Sequence, residues 1–400
     1  MMGLILSFTH CKNTSATDQK SSEDKESLKK GRSLEKRIQS RDYPSVFAAW
    51  NNADNKPEES ELNTYARHDL IFHAPHFYGL EWNNQYQGLA KGFTKKSIKE
   101  GLEVHKTLLN KNPNLILLAE IRYRDASTKF LPENHKWWMR NEDGTLAEGW
   151  AEGGFLKLDF TNDSFQNRVA QKAAAAVESG VAEGVMLDWW HEGRRPKARI
   201  ELIKKVREAI GEDALIIVNS NDRKIPKSKQ YVNGLFMECY RSETAEDWQR
   251  IATTLSWAET NLRKPTINLL ETWFHNSRED YNLMRATTTL SLTHSEGYCL
   301  FSDPNELDKP DHAHNWYSFW NANLGVPEKE GKKQEDGSWV RKYSNGTALY
   351  NPMGNKTVTT TFSEKKYSCA KEKYAKSFKV QPADGDIFLK KDIDINCSQK

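Results

Sequence analysis

Long apolar runs are missing from this 400-residue chain. None reaches the roughly 18 residues that a membrane-spanning helix needs. An excess of one charge sign is missing too, since 58 Lys and Arg face 55 Asp and Glu for a formal net charge of +3. That balance argues against a nucleic-acid binder driven by phosphate neutralisation. Cysteine is scarce, with five residues and no CxxC, and HExxH is absent, so neither a structural zinc site nor a zincin protease is expected. No GxGxxG or Walker sequence occurs, which argues against an open doubly wound nucleotide-binding sheet. Apolar residues are only 37% of the chain, yet an aromatic share of 11% is too high for a disordered one. What stands out is tryptophan, thirteen residues of it. Trp often fills cores, but in excess it suggests flat rings placed to receive a ligand.

The ends of the chain read differently from its middle. Residues 1–11 form a short apolar run ending at Cys11, in the manner of a secretory signal. They also resemble the cleavage box of bacterial lipoproteins, in which the cysteine becomes the lipidated N-terminus; a plain cleaved signal and an unprocessed tail are the other readings. Residues 12–40 are polar and charge-dense, the composition of a disordered tether. The expectation is an exported protein: an outer-membrane or cell-surface lipoprotein attached to the membrane through Cys11, or a periplasmic one. Cys239 and Cys299 sit in apolar runs and read as buried thiols. Cys369 and Cys397 could pair in an oxidising compartment.

The middle alternates short apolar runs with helical patterns. The runs are 45–50, 69–73, 114–120, 184–188, 215–219, 234–238, 266–271 and 297–301. Each has the length and continuous apolarity of a parallel strand covered on both faces. Residues 94–109, 164–179, 196–210, 244–262 and 278–291 show a period near 3.6, with Asp163 or Ser164 as the cap of the second. Strand and helix in alternation predict a (β/α)8 TIM barrel over residues 41–326. Residues 327–400 read as a linker and strand–turn–strand patterns, predicting a small C-terminal antiparallel, β-sandwich-like domain.

The informative feature is what ends the strands: Glu120, Asp188, Asn219, Glu238 and Glu271 close the third to seventh runs. In a barrel these ends converge on one rim. Carboxylates gathered there repel one another and raise some of their pKa values. One acid kept protonated beside one ionised carboxylate is the pair that glycosidic-bond cleavage needs. Each acid alone could equally cap a helix or pair with Arg122, Arg124, Arg194 or Arg195. Asp188 stands out because Trp189-Trp190-His191 follow it, and sugar C–H faces stack on indole.

Three segments carry a resemblance. Trp138-Met139-Arg140-Asn141-Glu142-Asp143-Gly144, then Leu158-Asp159-Phe160-Thr161-Asn162, then Glu183-Gly184-Val185-Met186-Leu187-Asp188-Trp189-Trp190 are similar to a glycoside-hydrolase-like group of (β/α)8 proteins distantly related to the endo-α-1,4-polygalactosaminidase families. Asp163 stands where that group usually has proline. The resemblance spans roughly residues 42–390 and is most specific at the fourth strand. It implies Asp188 as one catalytic carboxylate and Glu238 as its partner, with Glu271 competing for the second role. The expected function is therefore a two-carboxylate glycoside hydrolase acting on a polysaccharide or oligosaccharide. Trp50, Glu120, Trp137, Trp189, His191, Asn219 and Trp273 are the expected substrate-binding residues. No metal or organic cofactor and no nucleic-acid partner is expected, and the chain is expected to be a monomer. The alternative is a non-catalytic carbohydrate-binding surface protein on the same scaffold.

Overall fold

A computed structural model describes residues 33–302 and 312–398. The expected signal segment with Cys11, and residues 12–32 of the expected tether, lie outside the described residues. The end of that tether is corrected: Leu34–Gln39 is a helix, capped by the Ser33 hydroxyl. Its Arg37 is buried against the foot of the barrel, where it reaches Glu183 Oε1 at 2.6 Å. The charged composition hid a helix held by one buried ion pair.

Eight parallel strands form the barrel: β1 (Phe47–Ala49), β2 (Leu70–His73), β3 (Ile116–Glu120), β4 (Gly184–Leu187), β5 (Leu215–Asn219), β6 (Gly234–Cys239), β7 (Leu269–Trp273) and β8 (Tyr298–Ser302). They pair in sequence order, and a parallel bridge between Val46 and Cys299 joins the last strand to the first. Alternate residues of a strand point to opposite faces. Phe47, Phe72, Leu118, Met186, Ile217, Phe236 and Leu269 share the buried cluster inside the barrel. Ala48, Ile71, Leu117, Val185, Ile216, Leu235 and Leu270 face the helices outside. The same two-residue step carries Glu120, Asp188, Asn219 and Glu238 from inward-facing neighbours into the barrel mouth.

Long helices at Lys95–Lys111, Asp163–Glu178, Pro196–Ile210, Ala245–Asn261 and Tyr281–His294 cover the outside. The second is capped one residue earlier than its sequence pattern predicts. Asn162 accepts from the backbone N–H groups of Ser164 and Phe165. The alternation is also incomplete, because residues 220–233 join β5 to β6 without an α-helix. Glu192 stands in there, accepting from the N–H groups of Lys227 and Ser228.

Six strands between Lys332 and Leu389 form one antiparallel sheet. On one face, Ala348, Ile387 and Leu389 join Met284 and Leu292 of the Tyr281–His294 helix in a common cluster. On the other, Leu349 and Phe388 are covered by Val358, Phe378 and Val380 from the last hairpin. The module is thus a single hydrogen-bonded sheet folded over on itself. Cys369 and Cys397 are disulfide-bonded beside it, and Cys239 and Cys299 are buried free thiols.

Candidate active site

The floor of the barrel mouth is built on Asn219, at the end of β5. Its side-chain nitrogen donates to Asp188 Oδ1 at 2.9 Å and to Glu238 Oε2 at 2.7 Å. Its own oxygen accepts from the Asn221 backbone N–H at 3.1 Å, which fixes the amide's orientation. Asn219 is buried, whereas Asp188 and Glu238 keep part of their surface open to the mouth. Burial and then the charge of Glu120 push Asp188 up from 3.8 to about 6, against Arg122 and the Asn219 hydrogen bond. Burial pushes Glu238 up from 4.5 to about 8; His312 opposes this, while the charges of Glu271 and Asp188 add to it.

Two other acids lie below this pair. Glu120 is buried, accepts from the Trp50 indole N–H at 3.0 Å and pairs with Arg122 at 2.8 Å. Glu271 does not end its strand as expected, because β7 runs on to Trp273. It is fully buried and accepts from the Ser302 hydroxyl at 2.5 Å, with His312 Nδ1 at 2.8 Å. His312 belongs to the loop after β8, lies with its ring tilted 4.9 Å from that of Trp50, and so links the two lower acids. Its position two residues before His314 carried no signal that could single it out.

Above the floor opens a cleft of about 650 Å³ whose walls include Trp150, Trp189, His191, Tyr240 and Trp273. Trp189 is 47% exposed, while Trp190 is buried with its indole N–H on Ser228 Oγ at 3.1 Å. The Trp273 indole N–H is buried without a hydrogen-bond partner among the described residues. Trp137 lies elsewhere, buried against the start of the Asp163–Glu178 helix with its N–H on Ser164 Oγ. Trp50 is packed at the floor and does not line the cleft. Of the expected binding residues, the cleft gathers Trp189, His191, Asn219 and Trp273.

Backbone strain marks the same rim. Trp50, Trp189, Arg195, Asn221 and His312 all have φ between 50° and 60°. Such values are uncommon for non-glycine residues and gather at functional sites. These five stand in the loops that follow β1, β4, β5 and β8. Among the described residues, no group of three or more His, Cys, Asp or Glu side chains could hold a metal ion.

The sequence profile described as hypothetical glycosyl hydrolase family 15 matches residues 119–347, more than half of the chain. The chain belongs to hypothetical glycosyl hydrolase family 15. It is accordingly a glycoside hydrolase. The family match contains Glu120, Asp188, Asn219, Glu238 and Glu271, and it ends inside the C-terminal sheet. No curated protein matches the chain at a significant level. Among solved structures, a noncanonic maltogenic α-amylase from Thermotoga neapolitana is similar at 10% identity and a TM-score of 0.51, over 86% of this chain and 99% of that one. An α-amylase from Lactobacillus plantarum reaches a TM-score of 0.50 at 11% identity, over 89% and 99%. The type III pullulan hydrolase from Thermococcus kodakarensis reaches 0.51 at 12%, over 89% and 77%. At such identities the likeness speaks for the barrel-plus-sheet fold of this family-15 member, and not for its substrate.

Residues missed in the sequence are mostly those just past the strand ends. Tyr240 and Arg241 follow β6 directly, Arg223 follows β5, and Arg194 follows β4; all four line the cleft. Their closeness to a strand end was the available signal. Trp150 and Lys157 reach the cleft from the long β3 loop, whose length placed it over the top face of a barrel without saying which of its residues face inward.

Proposed function

We propose that this enzyme hydrolyses a polysaccharide or oligosaccharide with Asp188 as nucleophile and Glu238 as general acid and base. The observation that carries the reading is the Asn219 amide, which donates to both carboxyl groups. Two acceptors on one NH2 fork lie on the order of 5 Å apart, near the ~5–5.5 Å of retaining enzymes and short of the ~6.5–9.5 Å of inverting ones. The order of the two acids supports the same roles. Glu238, pushed to about 8, keeps its proton near neutral pH, while Asp188, at about 6, is largely ionised there. Glu238 would protonate the glycosidic oxygen as the Asp188 carboxylate attacks the anomeric carbon. The sugar departs when a water, deprotonated by Glu238, breaks the glycosyl–Asp188 bond and restores both acids. Burial of Glu271 and Glu120 supports roles in which they set the charge and position of the acids above them, without touching the sugar.

The test is Asp188→Asn against a responsive glycan, with reducing ends counted and the first product's anomeric configuration followed by NMR. Turnover should fall by on the order of 10³-fold, and the wild-type product should retain its configuration. Unchanged turnover in the variant would overturn the role of Asp188, and an inverted product would overturn the double displacement. Glycan binding without any turnover in the wild type would favour the carbohydrate-binding alternative. We also propose that the chain is exported. The Cys369–Cys397 bond supports this, because disulfides persist in oxidising compartments. Fractionation of cells making the full chain, with and without labelled fatty acid, tests export and lipidation of Cys11 together.

A further inference from the structure

The cleft is cationic far beyond the balance of the whole chain. Among the described residues, seven Arg and Lys side chains line it against two acids, Glu152 and Glu238. Some of these cations are already engaged. Arg199 is buried on the Tyr123 hydroxyl and the carbonyls of Arg194 and Trp189. Arg124 pairs with Asp125 and stacks 4.3 Å over Trp189, and Arg195 reaches Asp159 at 3.4 Å. The other four, Lys157, Arg194, Arg223 and Arg241, form no ion pair with any carboxylate among the described residues, although Arg223 donates to Asn221 Oδ1 at 2.7 Å and Arg241 lies 5.2 Å over the Tyr240 ring.

Their placement is consistent across the barrel. Lys157 comes from the loop after β3, Arg194 from that after β4, Arg223 from that after β5, and Arg241 from that after β6. Four successive loops, on one half of the barrel rim, therefore bring cations to the cleft that Trp189 and Tyr240 also line. Like charges drawn together in a concave wall repel, and such walls focus a positive potential on whatever enters. His191, in the same wall, is held below its ordinary value by burial and then by Arg223, Arg194 and Arg199. These cations are not needed to steady the acids. The cation bearing most on Asp188 is Arg122, and on Glu238 it is His312, both outside the cleft wall.

We infer that the substrate is an anionic glycan, whose sugars carry carboxylate or sulfate groups that Lys157, Arg194, Arg223 and Arg241 receive while the aromatic rings stack on the sugar faces. A guanidinium fork matches a planar or tetrahedral oxyanion with two parallel hydrogen bonds. A neutral glycan would meet the same rings but offer these cations only hydroxyl acceptors, with no opposite charge. The inference deepens the proposed function and rests on the cleft being the glycosidase site.

The experiment measures binding to Asp188→Asn by calorimetry and turnover of the wild type by reducing-end release. The probes are oligogalacturonides, their carboxyl-reduced counterparts, carrageenan oligosaccharides and maltooligosaccharides. One anionic series should bind at least about tenfold more tightly than the neutral ones, with the advantage shrinking as salt rises. The double variant Arg194→Gln with Arg241→Gln, checked for folding by circular dichroism, should lose about tenfold of that affinity. The galacturonide and carrageenan arms separate carboxylate from sulfate recognition. The inference is overturned if neither anionic series binds more tightly than the neutral ones, or if the double variant binds as well as its parent. Turnover surviving in Asp188→Asn would instead overturn the catalytic assignment and leave the binding comparison standing.

Discussion

Asp188 and Glu238 share one hydrogen-bond donor, so their difference must come from what lies beneath each. Asp188 has Arg122 nearby to favour its charge, with Glu120 against it. Glu238 stands in register with Glu271 on the neighbouring strand, and that buried charge helps to hold its proton. If the pair does the chemistry, kcat/KM should follow a bell between apparent values near 6 and near 8, belonging to the coupled pair and not to one residue. Glu238→Gln should abolish the alkaline limb; a profile unchanged above neutrality would exclude Glu238 as the acid. The same shift has a stability consequence. An acid whose folded value is raised binds its proton more tightly in the folded state, so its contribution is lost as pH climbs from 4.5 to about 8. Glu238→Gln should therefore raise the melting temperature measured at pH 8 more than at pH 4.5, at the expense of activity. Equal melting shifts at the two pH values would argue against a raised Glu238. The placing of these two acids at the barrel mouth was legible in the sequence because both stand at the ends of apolar strands. Asn219 was legible as a strand-end polar residue, but its bridging amide was not, since it depends on β4, β5 and β6 lying side by side.

At the scale of elements, strands were read more reliably than the loops that join them. An inward- and outward-facing strand buried on both sides has one composition, continuous apolarity, and all eight runs carry it. Loops have no such rule, and the helix-free β5–β6 connection shows why: Glu192, in a different loop, supplies its hydrogen bonds. The contact between the Tyr281–His294 helix and the strand Asp384–Leu389 has a sharper requirement. A Cβ at Gly385 would strike the Thr289 side chain on that helix. Beside it, Arg285 donates to Asp384 at 2.8 Å within the same buried seam. Gly385→Ala should cost about 1–3 kcal/mol by forcing helix and sheet apart, read by denaturant unfolding. Gly144→Ala, in an exposed turn at φ 84° with open space around it, is the comparison for backbone strain alone. A smaller loss at Gly385 than at Gly144 would argue against tight helix–sheet packing.

For the molecule as a whole, the barrel and the C-terminal sheet share one apolar cluster that runs from Phe47 to Leu389. The sheet thus covers a helix that would otherwise expose buried threonines and leucines. The disulfide closes the far end of this unit across 28 residues. Replacing Cys369 and Cys397 by Ser should cost about 3.6 kcal/mol if the bond limits the unfolded chain as loop-closure entropy requires. The unfolding midpoint of the wild type should fall similarly on reduction, and a midpoint indifferent to reductant would exclude the bond in solution.

Sequence by itself determined the eight strands, the antiparallel character of the tail and the presence of acids at one rim. Each follows from local periodicity: apolarity repeats with the geometry of its own element, and a strand end is a position along the chain. Tertiary structure decided which acids share a donor, which tryptophans face the cleft and which lie in the core. Trp137, Trp189 and Trp190 are all tryptophans of the loops above the strands, yet only Trp189 is exposed, on a backbone at φ 56°. Tertiary structure alone also gathered cations from four loops, far apart in sequence, onto one wall. Charge counted along the chain is balanced; it is the barrel's closure that sets like charges side by side.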